Sequence, residues 1–202
     1  NSVGRYRILL ICFAFMDVIV SIVHTLLLPG VYMTDFGYIF YGYHQLDMSE
    51  MYGTGGAIIF VILFYQTFIL LSYHYVYRYI ILCEPQWLRW SQRRPFIVWI
   101  PIAIIVQVLY TLGYLLCVYI GFMPSDDKRE MYKHFLLNNS NVDITHEPYP
   151  GFLAIVFKKV DEYGNVSWKE DALLSITLVL LLFLTTAIII VYCCTKIINE
   201  MK

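Results

Sequence analysis

The sequence predicts an all-α membrane protein with four transmembrane helices, and three observations carry that prediction. The chain has 202 residues, of which 59% are hydrophobic and 17% aromatic. Only 14% are charged, where a soluble domain carries about 25%. The apolar residues also gather into four runs: Tyr6 to Leu28, Ala57 to Tyr79 (densest up to Tyr75), Phe96 to Gly121 and Ala172 to Cys194. Crossing the hydrocarbon takes about 20 apolar residues at ~1.5 Å each, so every run is long enough. Barrel strands would be short and would alternate polar with apolar, which these runs do not. The net charge of −1 and the lack of a basic stripe argue against a nucleic-acid partner. The solvent this chain asks for is a lipid bilayer.

The first run is preceded by Arg5 and Arg7, and residue 1 is Asn. Neither a short apolar core nor a small-residue cleavage site of a signal peptide is seen there, so the chain reads as beginning inside a loop. The first span holds the one carboxylate well inside any run, Asp17. A central Asp costs ~2.5–3.5 kcal/mol on insertion scales and is expected to face a bundle interior or water. Phe13, Asp17, Ser21 and His24 share one helical face. That polar stripe reads either as an interhelical hydrogen-bond site that sets packing or as an ion- or proton-sensitive switch.

In the second span Phe60, Phe64, Thr67 and Leu71 lie within ~40° of the direction of Arg78 on an ideal helix. One face therefore carries an aromatic, weakly polar surface and ends in Arg78, between Tyr77 and Tyr79. A snorkelling anchor is one reading of that arginine; its shared face with the stripe turns it toward the bundle. The third span has a comparable stripe of Gln107, Tyr110, Thr111 and Tyr114, and Pro101 is expected to kink its inner half. If the stripes converge, Phe60, Phe64, Thr67, Tyr110 and Tyr114 line an aromatic pocket suited to a small neutral molecule.

Orientation follows from Lys and Arg, which concentrate in cytoplasmic loops. The first connection, Pro29 to Gly56, has none, whereas the second has Arg78, Arg89, Arg93 and Arg94. The start, the second connection and the C-terminus are therefore expected inside, and the other two loops outside. The loop at 122–171 holds six basic residues but also nine acids, and long loops translocate largely regardless of charge. Both N-glycosylation sequons, at Asn138 and Asn165, fall in it. Its segment "KKVDEYGNVSW" (158–168) predicts a β-hairpin turning at Tyr163-Gly164-Asn165.

The five cysteines (Cys12, Cys83, Cys117, Cys193 and Cys194) lie within or beside the spans. This argues against families whose large outer loop is disulfide-bridged. Cys83, Cys193 and Cys194 read as small buried or lipid-facing residues, with palmitoylation the sharper alternative. The histidines form no H-x-x-x-H or H-E-x-x-H pair and no G-x-S-x-G occurs. The sequence therefore predicts no enzyme, metal site or cofactor.

Three stretches carry a resemblance. "YVYRYIILCEP" (75–85) is similar to the end of the third helix in nematode seven-transmembrane chemoreceptors of serpentine receptor class r, the Str family. "GRYRILLICFAFMDVIVSIVHTLLLP" (4–29) resembles that family's first inner loop and second helix, and "FLAIVFKKVDEYGNVSWKEDALL" (152–174) its second outer loop. The resemblance implies that residues 1–202 are a partial seven-helix receptor domain, with the four spans as helices two to five. It further implies an olfactory-type receptor in the plasma membrane of sensory-neuron cilia, detecting a small-molecule odorant and signalling through a heterotrimeric G protein. Arg78, with Tyr77 and Tyr79, then takes the coupling role. Rhodopsin-like receptors carry an acid where this chain has Tyr77, so their off-state lock does not transfer. Two other readings compete: a truncated, nonfunctional receptor remnant, and a four-helix channel or transporter subunit with Asp17 and His24 on its path.

Overall fold

A computed structural model of the chain describes residues 2–45, 48–84, 86, 95–140, 144–145, 150–160 and 165–201. Five α-helices carry most of them: α1 (Ser2–Leu27), α2 (Glu50–Leu82), α3 (Pro95–Cys117), α4 (Asp126–Ser140) and α5 (Glu170–Glu200). Four stretches, Leu10–Leu27, Glu50–Leu82, Trp99–Phe122 and Glu170–Glu200, are long and apolar enough to cross a membrane. Helix is the form such sequences must take in lipid, because every backbone N–H and C=O has to be bonded within its own segment. Pro101 lies inside α3 without ending it, and α3 runs on into a π-helical turn, Val118–Phe122. Arg89, Arg93 and Arg94, which entered the orientation argument, lie outside the described residues.

The chain divides into two compact units. The first, without a strand among the described residues, takes Asn1–Ile19, Leu63–Tyr114 and Leu180–Lys202. Here small and polar residues tie the helices together, as expected where lipid is as apolar as leucine and burial alone gives no preference. The Tyr73 hydroxyl donates to the Ala103 carbonyl at 2.9 Å and the Gln66 amide to the Thr111 hydroxyl at 2.7 Å, both joining α2 to α3. The Tyr110 hydroxyl joins α3 to α5 at the Leu182 carbonyl.

The second unit, Val20–Ile62 and Leu115–Val179, holds a sheet that the sequence reading did not foresee. Strands β1 (Pro29–Thr34) and β2 (Gly37–Gly42) form a hairpin around Asp35-Phe36, in register from Pro29↔Gly42 to Thr34↔Gly37. Strand β3 (Leu153–Val156) pairs antiparallel on the other side of β2, from Gly37↔Val156 to Phe40↔Leu153. Being central, β2 is buried on both faces, and its side chains alternate between two clusters. Ile39 and Tyr41 join Tyr132, Leu136 and Phe152, whereas Phe40 joins Leu27, Ala57, Val118 and Leu153. The Tyr132 hydroxyl reaches the Ile155 carbonyl at 3.0 Å, and burial pushes its pKa up to about 12.

Two close approaches fix this unit. At Gly151 a Cβ would collide with the backbone of Gly53 and Thr54 in the first turns of α2. At Gly121 it would collide with the Ser175 side chain, whose Oγ donates to the Cys117 carbonyl at 2.6 Å. The predicted hairpin is present, with β4 (Lys158–Val160) paired to β5 (Val166–Trp168). Of its expected turn, Tyr163 and Gly164 lie outside the described residues.

Candidate functional site

In the helical unit the most concentrated chemistry is aromatic. Tyr65 of α2 stacks on Tyr114 of α3, with ring centroids 4.2 Å apart and planes at 16°. Tyr110 meets Tyr114 edge-on at 5.2 Å. Helical spacing explains the grouping: Tyr110 and Tyr114 are four apart on one helix and so lie one turn above the other. Beside them Gln66 is buried, and while its Nε2 donates to Thr111, its Oε1 has no donor among the described residues. Thr111 in turn donates to the Gln107 carbonyl at 2.9 Å, so its hydroxyl is committed at both ends. A buried acceptor left without a donor costs about 1–3 kcal/mol. This one sits next to three tyrosines.

Of the five expected pocket residues, Tyr110 and Tyr114 are brought together. Phe64 lies at the margin of the group, 46% exposed, with its ring against Tyr65 and Phe68. The Thr67 hydroxyl turns back to the Phe64 carbonyl of its own helix at 2.7 Å. Phe60 belongs to the sheet-bearing unit, where it packs on His24 and Phe40. The sequence reading missed Tyr65, Gln66, and the Phe68–Phe183 contact between α2 and α5 at 5.0 Å. Gln66 was the legible signal, as an amide in an otherwise greasy run.

The helical phase of α2 can be set beside its burial. Gln66, Ile69, Ser72 and Ile80 are its buried residues within this unit. On an ideal helix their mean direction lies about 180° from Arg78. Arg78 is exposed, and Phe64, Thr67 and Leu71 share its side. Arg78 thus lies on the face of α2 opposite the residues buried among the described helices. Tyr77 is half-buried; Tyr79 packs edge-on against Tyr192 of α5 at 5.9 Å, and Lys196 Nζ lies 5.9 Å from the Tyr192 ring.

On α1, Asp17, Ser21 and His24 are exposed, and the His24 ring lies 5.8 Å from that of Phe60 on α2. Asp17 falls in the helical unit and the other two in the sheet-bearing unit. Leu27 is the buried residue among those described on α1. Asn138, near the end of α4, and Asn165, just before β5, are both exposed. Among the described residues no group of three His, Cys, Asp or Glu side chains could hold a metal ion.

A family model described as serpentine type 7TM GPCR chemoreceptor Str matches residues 1–202. No curated protein matches the chain. No solved structure matches it either.

Proposed function

Because this chain belongs to the family of Str serpentine seven-transmembrane chemoreceptors, we propose that it binds a small neutral molecule and signals through a heterotrimeric G protein. The match over residues 1–202 is the observation that carries this reading. In it α1, α2, α3 and α5 correspond to helices two to five of the seven-helix bundle. The Arg78 end of α2 is cytoplasmic. The sheet-bearing unit, with Asn138 and Asn165 as glycan acceptors, is outside, at the plasma membrane of sensory cilia.

This assignment accounts for the exposed faces. Arg78, Leu71, Thr67 and Phe64 on α2, and Asp17 on α1, are side chains that lipid would not favour or that other helices of a seven-helix bundle would cover. Tyr65 and Tyr110, with Phe64 and Thr67 at the margin, offer a ligand aromatic surface, and the buried Tyr114 backs it. Gln66 Oε1 offers one acceptor for a hydroxyl or N–H. Ligand binding shifts a two-state population, and no chemistry on the ligand is required. Arg78, flanked by Tyr77 and Tyr79, meets the G protein when the cytoplasmic helix ends separate.

The test is Arg78→Ala in the receptor expressed from its whole reading frame, with surface display and G-protein activation measured together. Surface display is expected to persist while activation falls at least about tenfold, which is about 1.4 kcal/mol of lost coupling. Undiminished activation would remove the role given to Arg78.

A further inference from the structure

The sheet-bearing unit encloses a cavity of about 220 Å³ that the receptor reading does not use. It lies where the π-helical turn, the first turn of α4, β3 and the start of α5 meet. One wall is apolar, formed by Met123, Met131, Val156 and Ala172. Lys128 enters from α4, and its Nζ donates to the carbonyls of Gly121 and Met123, each at 2.8 Å. Those carbonyls are available because a helix ends there, and the last carbonyls of a helix lack intrahelical partners. Two acceptors match the two N–H bonds of a neutral amine. Among the described residues no third acceptor is within reach, so the remaining position on nitrogen is left for the cavity.

We propose that this cavity captures small unbranched aldehydes as an imine on Lys128. Desolvation disfavours the ammonium form, which is how buried lysines become nucleophiles. Here burial lowers the Lys128 pKa to about 8, with Lys169 adding to the effect and Asp171 opposing it. The charged groups around the cavity are Asp127, Lys169 and Asp171. Asp127 is engaged by Lys169 at 3.1 Å and Lys159 at 3.7 Å. Asp171 is the carboxylate left to carry protons.

In the first step the Nζ lone pair attacks the carbonyl carbon. The C=O π pair moves to oxygen, and Asp171 transfers the proton that nitrogen loses, giving a carbinolamine. The same carboxylate, reprotonated from solvent, protonates the carbinolamine hydroxyl; water leaves as the nitrogen lone pair forms C=N, and the iminium N–H returns its proton to Asp171. The sum is aldehyde plus amine giving imine plus water, with no oxidant or reductant. The cavity equals about seven water volumes, which accommodates a chain such as hexanal.

The test treats the full chain, in lipid nanodiscs at pH 7, with hexanal and cyanoborohydride, and maps hexylated lysines by peptide mass. At that pH the neutral fraction of Lys128 exceeds that of an ordinary lysine by about 10²-fold. Hexylation at Lys128 is expected to be at least about tenfold faster than at Lys133, Lys158 or Lys159, and to level off above about pH 8 while theirs keeps rising. Lys128→Arg retains donors for both carbonyls but forms no imine, so the fast label is expected to vanish. Equal labelling of all four lysines, or a rate at Lys128 still rising at pH 10, would overturn the proposal. The outcome is independent of signalling: a chain that fails the Arg78 test can still trap hexanal, and a working receptor can fail to.

Discussion

Arg129 and Glu50 form an ion pair between α4 and the first turn of α2. Its two halves are buried very unequally: the Arg129 side chain is 7% exposed and that of Glu50 is 42%. Arg129 also donates to the Ile144 carbonyl at 3.4 Å and lies 5.4 Å from the centre of the Phe152 ring. The asymmetry makes the order of two substitutions predictable. Removing one member of a fully buried pair costs about 3–5 kcal/mol, because a charge is stranded away from water. Glu50→Ala strands the buried guanidinium and also removes a carboxylate from a helix N-terminus, itself worth about 0.3–1 kcal/mol. With a discount for the exposed half of the pair, the cost is about 2–4 kcal/mol.

Arg129→Met strands only a carboxylate that water can reach, and keeps an apolar stem beside Phe152. Its expected cost is about 1–2 kcal/mol, mostly the hydrogen bonds lost. Hydrogen exchange of the β2 and β3 amides measures both as changes in opening free energy. Should Arg129→Met prove as damaging as Glu50→Ala, stranded charge would not be the controlling term, and packing on Phe152 would take its place.

Gln66→Leu separates stability from recognition. It gives up one hydrogen bond to Thr111, worth about 1 kcal/mol, but removes an acceptor whose burial costs about 1–3 kcal/mol. The thermal midpoint is therefore expected to hold or rise while ligand-evoked G-protein activation falls. Asp127 predicts a pH response in the β4–β5 hairpin. The hydrogen bond from Lys169, then the charges of Lys159 and Lys169, hold its carboxyl below the usual carboxylate range. Because the folded value is the lower one, its contribution is fully present above about pH 4 and is lost as pH falls through that depressed value. Hairpin amide protection is expected to stay level from pH 7 to 5 and to drop in stronger acid; Asp127→Asn should remove the drop.

Helix existence was legible because it needs only length and apolarity, and the runs around Asp17, Phe64, Gln107 and Leu182 supply both. The 158–168 hairpin was legible because Val-rich arms flank a Gly-Asn turn. The β1–β2–β3 sheet was not read, although "GVYMTDFGYIFYG" carries the β-branched and aromatic residues of a hairpin. Its lack of Lys and Arg was spent on the orientation argument, and its partner strand β3 lies more than a hundred residues further on. Pairing at that separation leaves no local periodicity to read. Lys128 was equally hidden, since nothing in "DDKREMYK" distinguishes a buried lysine from its solvated neighbours.

The faces of α1 and α2 are harder to assign, for a different reason. In water an apolar stripe marks the buried side of a helix, because the other side must be polar. In a bilayer both sides are apolar, and the stripe loses its meaning. Grouping Phe60, Phe64, Thr67, Leu71 and Arg78 was sound as geometry, yet phase alone could not say which neighbour the face meets. Gln66 and Tyr73 instead reach α3 through hydrogen bonds to Thr111 and Ala103. In such a helix the small and hydrogen-bonding residues locate the nearest partner. Arg78 lies exposed on the opposite face of the same helix.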